Sequence, residues 1–310
     1  MKRIATCAIG GNSIIKPGQR GTQDEQFHNA RETAKHVASM IEEGYDVVIT
    51  HGNGPQVGNA LLRVEVSKDI APPLSLDMCG AQTQAELGYM IQQSLYNELQ
   101  SRGNGRIVCT VVTQVVIDPS DPSFLHPTKP IGPFYREKIE EWHMIEDAGR
   151  GYRRVVASPA PKEIVEADLI KKLLLEGFIV VAVGGGGIPV TKDERGNLKG
   201  IAAVIDKDHA SSLLATTLGA HTFLISTDVE RVYLNYRRPN QVGLRRLEVQ
   251  EAKEYLAKGH FHEGSMAPKI RAAIDFLENG GSEAIITSPE LIPQALAGED
   301  GTKMYKKGAI

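Results

Sequence analysis

Short apolar runs alternate along this chain with stretches in which apolar residues recur every three or four positions. The apolar run at residues 4–9 ends at Gly10-Gly11-Asn12 and predicts a buried strand that leads into a tight loop. Residues 24–43 carry apolar residues on one face of a predicted helix, and residues 46–50 predict a second strand. This order of strand, helix and strand is typical of a βαβ unit and implies parallel pairing.

The alternation continues to the end of the chain, with one interruption. We expect a single domain over residues 1–310, built on one open and mostly parallel sheet. Residues 118–153 contain five prolines and interrupt the alternation, so we interpret them as an inserted lobe or lid. Helices are predicted at residues 78–100, 162–176, 206–218, 249–258 and 268–279, strands at 106–117, 154–157, 178–183, 222–226, 232–235 and 283–287, and a hairpin at 190–201.

Composition narrows the class of protein. The 310 residues are 41% hydrophobic and 24% charged, which is ordinary for a folded chain. A net charge of −3 without a basic block, and only 5% aromatic residues, argue against nucleic acid as a partner. Three widely spaced cysteines argue against a disulfide framework. Because no apolar stretch is long enough for a membrane span or a signal peptide, we expect a cytoplasmic protein.

Three glycine-rich loops each follow a predicted strand: Gly10-Gly11, Gly52-Asn53-Gly54 and residues 184–187. Glycines often do no more than end turns, and one such loop alone would be read that way. Backbone N–H groups in such loops also attract phosphate, and the carboxyl ends of parallel strands lie along one edge of a sheet. Three loops of this kind therefore favour an anion-binding site at that edge.

Two common nucleotide-binding classes are disfavoured by the loop sequences. The chain contains no G-x-x-x-x-G-K-[ST] segment, which excludes the P-loop class. No G-x-G-x-x-G follows the first strand, and residues 52–58 (GNGPQVG) have one residue too many. A nicotinamide-dependent dehydrogenase is therefore disfavoured as well.

Three lysines have unusual neighbours. Lys129 lies between two prolines, Lys207 lies between Asp206 and Asp208 at a predicted helix start, and Lys269 begins another helix. A lysine is usually a solvated surface charge, but at a helix N-terminus it opposes the helix dipole, so we expect a bound anion to compensate. Phosphoryl transfer requires such cations around the moving group. Asp208 either organises the lysines or caps the helix, and the residues support both interpretations equally.

Seven segments together resemble the carbamate kinases, in the order in which that family has them and across nearly the whole chain. They are residues 8–12 (AIGGN), 50–58 (THGNGPQVG), 127–135 (PTKPIGPFY), 153–156 (RRVV), 184–190 (GGGGIPV), 204–208 (VIDKD) and 264–266 (GSM). The resemblance implies the amino-acid-kinase fold, a three-layer α/β/α sandwich around one mostly parallel open sheet, with a small protruding lobe and usually a homodimer. It also implies the Mg²⁺-dependent reaction ATP + carbamate = ADP + carbamoyl phosphate, often run toward ATP in arginine catabolism.

The resemblance also implies roles for individual residues. Acetylglutamate and aspartate kinases usually have a lysine where this chain has Ala8, and carbamate kinases take that charge from the lobe, here from Lys129. Lys129, Lys207 and Lys269 would stabilise the transferring phosphoryl group, and Asp208 would organise them. Magnesium would arrive with the nucleotide, and no metal site of the protein's own is expected. Carbamate and the phosphoryl oxygens would be held by Gly10, Gly11, Asn12, Gly52 and Asn53, and the nucleotide by Thr227, Asp228, Val232, Tyr233 and Met266.

The nucleotide-side residues have a second interpretation. Val232 and Met266 are apolar enough to belong to the core, and Tyr233 to pack within a strand. The chain also departs from the family pattern at Ala160, at Ala267 and in residues 79–86. These departures leave two alternatives: a paralogue that phosphorylates another small acid, and a sensor that binds nucleotide or carbamoyl phosphate without turnover. The three lysines argue against the sensor, which has no transition state to stabilise.

Overall fold

An eight-stranded sheet forms the centre of the protein, seen in a computed structural model that describes residues 3–16, 18–146 and 151–308. Within those ranges the helices are α1 (Gln23–Glu42), α2 (Gly54–Ser67), α3 (Leu76–Ser101), α4 (Ala167–Leu175), α5 (Lys207–Leu218), α6 (Val249–Ala257), α7 (Met266–Glu278) and α8 (Ile292–Leu296). The strands of the amino-terminal half are β1 (Arg3–Ile9), β2 (Tyr45–His51), β3 (Val108–Thr110), β4 (Gln114–Ile117), β5 (Lys129–Tyr135), β6 (Met144–Glu146), β7 (Tyr152–Val156) and β8 (Pro161–Ile164). Those that follow are β9 (Ile179–Val181), β10 (Ile188–Lys192), β11 (Leu198–Gly200), β12 (Thr222–Ser226), β13 (Val232–Leu234), β14 (Val242–Leu244), β15 (Arg246–Glu248), β16 (Glu283–Thr287) and β17 (Thr302–Tyr305).

The central sheet runs in the order β15-β17-β16-β12-β1-β2-β9-β3. Every neighbouring pair in it is parallel except β16 and β17. Strand β1 sends Ala5, Cys7 and Ile9 into a core shared with α1 and α3, whereas Ala8 faces a second core shared with α5 and α7. A strand that is buried on both faces is typical of a parallel sheet covered by helices. The predicted three-layer sandwich is therefore confirmed.

The strands predicted from long apolar runs agree best with the structure. Strands β12 and β16 match the predicted residues 222–226 and 283–287 without a shift, and the predicted hairpin is formed by β10 and β11. Helix α1 begins where Thr22 and Glu25 form a capping box, in which each side chain accepts a bond from the other residue's backbone N–H. Among the described residues, no helix is long and apolar enough to cross a bilayer.

Three element predictions were wrong. The single strand expected at residues 106–117 is two strands in different sheets, because the Gln84 side chain from α3 binds the backbone N–H of Thr113 at 2.6 Å between them. The helix expected from residue 162 begins only at Ala167, since β8 uses the preceding residues. The strand expected at residues 154–157 does form, as β7 (Tyr152–Val156), but it pairs with β5 and β6 of the lobe and does not join the central sheet.

Helix α2 was not predicted, because Gly54 and Pro55 read as loop residues. In the structure Pro55 lies in the first turn of α2, where its missing N–H costs nothing. The helix therefore begins at Gly54, the last residue of the second glycine loop. It provides the surface on which the lobe rests.

The lobe has a sheet of its own, with the strand order β5-β7-β6. Arg154 in β7 lies over the Trp142 ring at 4.8 Å, and Tyr135 meets the same ring edge-on at 5.6 Å between centroids. The lobe therefore reaches past residue 153 to Val156, slightly farther than predicted. Its packing relies on aromatic and cation–π contacts.

The lobe meets the body at a contact between two glycines. A Cβ atom on Gly58 of α2 would lie 1.9 Å from the Cα atom of Gly132 in β5. Gly132 also has a φ of +73°, a conformation that residues with side chains rarely adopt. Beside this contact, a small, partly open pocket is lined by residues that include Leu61, Trp142 and Arg154. Close seating of the lobe thus depends on the absence of a side chain at Gly58.

We expect Gly58→Ala to destabilise the protein by about 1–3 kcal/mol, the usual cost of overpacking. The matched control is Gly80→Ala in α3, where a Cβ atom would have no neighbour within 4 Å. That change should be neutral or stabilise by up to about 1 kcal/mol, because alanine favours the helix. Denaturant unfolding of both variants measures the difference. Equal stabilities would show that the lobe does not need this close contact.

Candidate active site

The three glycine loops lie together at the carboxyl edge of the central sheet. The backbone N–H of Gly52 donates to the carbonyl of Ile9 at 3.2 Å, which joins the first two loops. The third loop packs against the second so closely that a Cβ atom on Gly185 would lie 2.3 Å from the side-chain nitrogen of Asn53. The first loop contains a short helical turn, in which the backbone N–H of Ser13 donates to the carbonyl of Gly10 at 3.0 Å. The side chain of Asn12 lies outside the described part of the structure.

The third loop has an unusual backbone. Val183 adopts a left-handed φ of 52°, which is strained for a β-branched residue, and the residues at 185–187 also have positive φ. Gln84 holds this turn by donating from its amide to the carbonyl of Gly184 at 3.0 Å. Thr113 accepts the N–H of Val183 at 3.0 Å. Sequence reasoning missed Gln84 and Thr113, because nothing local shows that they support a distant loop.

Asp208 holds two of the three lysines. Its Oδ1 accepts from Lys207 Nζ at 2.8 Å, and its Oδ2 accepts from Lys269 Nζ at 3.1 Å. The cap of α5 is Asp206, whose side chain accepts from the N–H groups of Asp208 and His209. Asp208 therefore does not cap α5, and its carboxylate contacts two of the three lysines, as the organising interpretation predicts.

Lys129 reaches the same turn of helix from the lobe. Its Nζ lies 2.5 Å from Oδ2 of Asp206, the residue that precedes Lys207. Three ammonium groups from β5, α5 and α7 thus converge on two carboxylates that are two residues apart. Asp206 was not among the predicted site residues, although it lies in the same five-residue segment as Lys207 and Asp208.

Burial and charge oppose each other in this cluster. Burial would raise the pKa of Asp208, but Lys207 and Lys269 outweigh it and hold the pKa below its ordinary value. Burial lowers the pKa of Lys269, yet Asp208 and Asp206 outweigh burial and raise it. For Lys207 burial dominates, and its pKa is lowered. Asp206 and Asp208 thus provide negative charge beside the lysines at the helix N-termini. From the sequence, only a bound anion was expected to provide it.

Comparison with known proteins decides the family. The amino acid kinase family matches residues 4–288. The chain belongs to the amino acid kinase family. A carbamate kinase of Thermococcus kodakarensis is 49% identical over 99% of this chain and 100% of its own length. The carbamate kinase-like protein YahI of Escherichia coli is 47% identical over 99% of this chain and 100% of its own length.

Solved structures agree with the sequence relatives. A carbamate kinase from Giardia lamblia bound to AMP-PNP is 38% identical, covers 99% of both chains and has a TM-score of 0.92. Within the amino acid kinase family, the chain thus groups with the carbamate kinases. The resemblance drawn from the seven sequence segments is confirmed.

The predicted nucleotide-side residues fall into two groups in this amino acid kinase. Thr227 is fixed by its N–H to the carbonyl of Thr287 at 2.8 Å, and Asp228 acts on Lys269 by raising its pKa. Val232 is 0% exposed and belongs to the core, so its side chain does not face a ligand. Tyr233 lies 5.9 Å from the Tyr236 ring and bonds to Glu230 through its hydroxyl. Met266, half-buried at the start of α7, packs against the same core as Val232.

His51 is a further buried group beside the lysines. It is 0% exposed, and its Nδ1 lies 3.1 Å from the carbonyl of Gly52, which fits an N–H donated to that oxygen. Burial lowers its pKa from 6.5 to about 4, with a smaller contribution from Lys207. The imidazole is therefore neutral at pH 7 and adds no positive charge to the cluster.

The pKa of His51 predicts a pH dependence of stability. The folded protein disfavours the protonated ring, whereas the unfolded chain takes up the proton at about pH 6.5. The free energy of unfolding is therefore unaffected by this group above about pH 6.5 and falls as the pH drops toward 4. We expect the advantage of the parent over His51→Gln, in free energy of unfolding, to shrink by about 2 kcal/mol between pH 7 and pH 5. Denaturant unfolding at both pH values measures it, with His28→Gln on the exposed side of α1 as control. A difference that does not change with pH would contradict a buried neutral imidazole.

Proposed function

We propose that the protein is an active carbamate kinase that catalyses Mg²⁺-dependent phosphoryl transfer between ATP and carbamate. Its working direction is ATP synthesis from carbamoyl phosphate and ADP, as in arginine catabolism. The observation that carries the proposal is the convergence of Lys129, Lys207 and Lys269 on two carboxylates at the glycine-loop edge. The printed names of the relatives support the same activity.

The cluster fits a phosphoryl group better than other anions. The transferring group spreads negative charge over three equatorial oxygens, and catalysis is mostly positioning and electrostatic stabilisation. Lys207 and Lys269 are held by one carboxylate, while Lys129 comes from the lobe, so cations from three different elements meet at one turn of helix. Ala8 leaves the strand below without a lysine, which makes the lobe the source of the third charge.

The chemical step needs no base from the protein. In the ATP-forming direction, a β-phosphate oxygen of ADP attacks the phosphorus of carbamoyl phosphate. The bond from phosphorus to the carbamate oxygen breaks, and carbamate leaves as an anion. The attacking oxygen is already ionised at neutral pH, so the residues have only to orient the groups and stabilise charge. The neutral His51 is consistent with such a site.

The remaining predicted residues provide the subsites. Gly10, Gly11, Asn12, Gly52 and Asn53 would hold carbamate and the phosphoryl oxygens, because they form the two loops joined beside Lys207. Thr227, Asp228 and Tyr233 would bind the nucleotide, and Val232 and Met266 would support them from the core. The AMP-PNP in the Giardia relative supports a nucleoside triphosphate on this chain.

Magnesium fits as a companion of the nucleotide. No group of three or more His, Cys, Asp or Glu side chains suited to a metal occurs in the described ranges, and Asp206 and Asp208 are engaged by lysines. Magnesium usually binds through substrate phosphates and keeps several waters. When bound, it would neutralise charge on the nucleotide phosphates, while this chain's lysines act on the group in transit.

One observation favours a small acid other than carbamate as the phosphoryl acceptor. Ala160 stands where the family usually has lysine, and it lies near the lobe, where its N–H donates to Asp121 at 3.0 Å. One close relative is named only as carbamate kinase-like. Loss of a cation that the family usually has would fit a paralogue that phosphorylates another small acid.

The cellular setting follows from cysteine chemistry. Cys7 and Cys79 are buried, Cys109 is partly buried, and all three are free thiols. Burial raises the pKa of Cys7 to about 12, so it stays protonated and unreactive. Free thiols suit a reducing compartment, and we place the activity in the cytoplasm.

The proposed reaction has a direct assay. We expect ATP formation from ADP and carbamoyl phosphate that depends on Mg²⁺ and stops when the metal is removed with a chelator. A coupled ATP assay measures it, beside ATP consumption with carbamate and with a panel of other small acids. Folded protein that gives no ATP with carbamoyl phosphate would falsify the proposal. Turnover with a different acid would instead identify the paralogue.

Removal of the lobe lysine tests the site itself. We expect Lys129→Ala to lower kcat by about 10²–10³-fold, the usual loss for one transition-state donor, and to leave KM for ADP nearly unchanged. Lys162→Ala is the control, because Lys162 pairs with Asp118 at 2.7 Å and is largely exposed. If Lys129→Ala keeps activity within a few-fold of the parent, the lobe does not supply a catalytic cation.

We also propose a homodimer across the β3 edge of the sheet. Strand β3 is the last strand there, and the nearby face of α3 exposes Tyr89 and Tyr96, which are 54% and 45% exposed. Edge strands with exposed apolar neighbours favour pairing. We expect a dimer by light scattering and a shift toward monomer in Tyr96→Lys, while Leu125→Lys in the lobe region leaves the mass unchanged. A monomeric parent would contradict the interface.

A further inference from the structure

The two oxygens of Asp206 have different partners. Oδ1 accepts from the N–H of Asp208 at 2.9 Å and of His209 at 3.4 Å, which caps α5. Oδ2 accepts from Lys129 Nζ at 2.5 Å, across 77 residues of sequence. One carboxylate therefore joins the first turn of α5 to the lobe.

That first turn also carries the other site charges. Lys207 follows Asp206 directly, and Asp208 holds both Lys207 and Lys269. The cap fixes Asp206 to the backbone of the turn, so its second oxygen has a defined position relative to these groups. The place of the Lys129 ammonium is thus set by the same turn that sets the other two.

We propose that Asp206 is a positioning residue that seats the Lys129 ammonium over the phosphoryl site while it caps α5. This inference rests on the proposed phosphoryl transfer. An ammonium has three N–H donors, so one bond to Asp206 leaves two for phosphoryl oxygens. Asp206 acts through Lys129 and does not touch the substrate itself.

Other contacts do not fix this lysine. The glycine contact and the pair of Arg154 with Glu65 at 3.4 Å attach the lobe to α2, and neither involves Lys129. The Lys129 side chain remains 27% exposed, and a long side chain without a partner samples many rotamers. Lys129 opposes the effect of burial and lowers the pKa of Asp206, so the carboxylate is ionised at neutral pH.

One substitution separates the two tasks of Asp206. Asp206→Asn keeps the size and an oxygen that caps α5, because asparagine caps as well as aspartate, but it removes the charge that holds Lys129. Asp118 provides a matched control outside the site. Its Oδ1 accepts the N–H of Ser120 at 2.9 Å and its Oδ2 accepts from Lys162 at 2.7 Å, the same division between a turn and a lysine.

The kinetic test is a double-mutant cycle in the ATP-forming direction. We expect Asp206→Asn to lower kcat roughly 10-fold, less than the loss of the donor itself, with KM for ADP within about 2-fold of the parent. In a Lys129→Ala background the same change should cost less than about 2-fold, since it has no ammonium left to seat. Asp118→Asn should stay within about 2-fold of the parent. Equal losses by Asp206→Asn in both backgrounds, or no loss in the parent, would overturn the proposal.

A second measurement does not depend on turnover. In the free protein, backbone amides of residues 126–135 should exchange hydrogen faster in Asp206→Asn than in the parent, and at the parent rate in Asp118→Asn. Matching melting temperatures of the two asparagine variants would show that the cap survives. A parent without turnover overturns the proposed function, while faster exchange in Asp206→Asn still supports the seating of Lys129. Unchanged exchange in that variant would overturn the seating itself.

Discussion

The site depends on the balance between three ammonium groups and two carboxylates at the first turn of α5. Three like charges brought this close would repel, and Lys207 is buried enough that its pKa is lowered. Asp208 offsets this by holding two of them, one on each oxygen, and Asp206 holds the third. One positive charge remains in excess of these two carboxylates, at a place where two helices begin. In the proposed reaction, this excess positive charge would attract the phosphoryl group.

The glycine loops serve the same end by letting the backbone come close. Gly185 lies against Asn53 and Gly52 lies near the stem of Lys207, positions where a side chain would fill the site. The strained Val183 is held by Thr113, and Thr113 is held by Gln84. Strain at an active site persists only when surrounding contacts over-determine it. Here Gln84 of α3 and Thr113, which lies between β3 and β4, make those contacts. The same contacts separate β3 from β4 and hold the third glycine loop in shape.

Local signals were enough to predict β12 and β16, because buried runs bounded by polar residues have one good interpretation. The hairpin was predicted from its turn at residues 194–197. They failed at residues 106–117, where the strand is broken by a glutamine from a distant helix. They also found the three lysines but not Asp206. In the order Asp206-Lys207-Asp208, which aspartate caps the helix depends on where the first turn begins, and that is set by packing. The capping residue then proved to be the partner of Lys129, a contact between segments 77 residues apart.

A lysine on the lobe solves a problem that a lysine on the sheet would not. Carbamoyl phosphate is an acyl phosphate, so a site that holds its phosphoryl group among fixed cations while open to water would favour hydrolysis. With Ala8 on β1, two cations belong to the body and the third arrives on β5. In the proposed reaction, full stabilisation of the transferring group would require the lobe to be seated, and a seated lobe would also exclude water. The pairing of Lys129 with Asp206 couples these two conditions, because the same contact positions the charge and holds the lobe against the body.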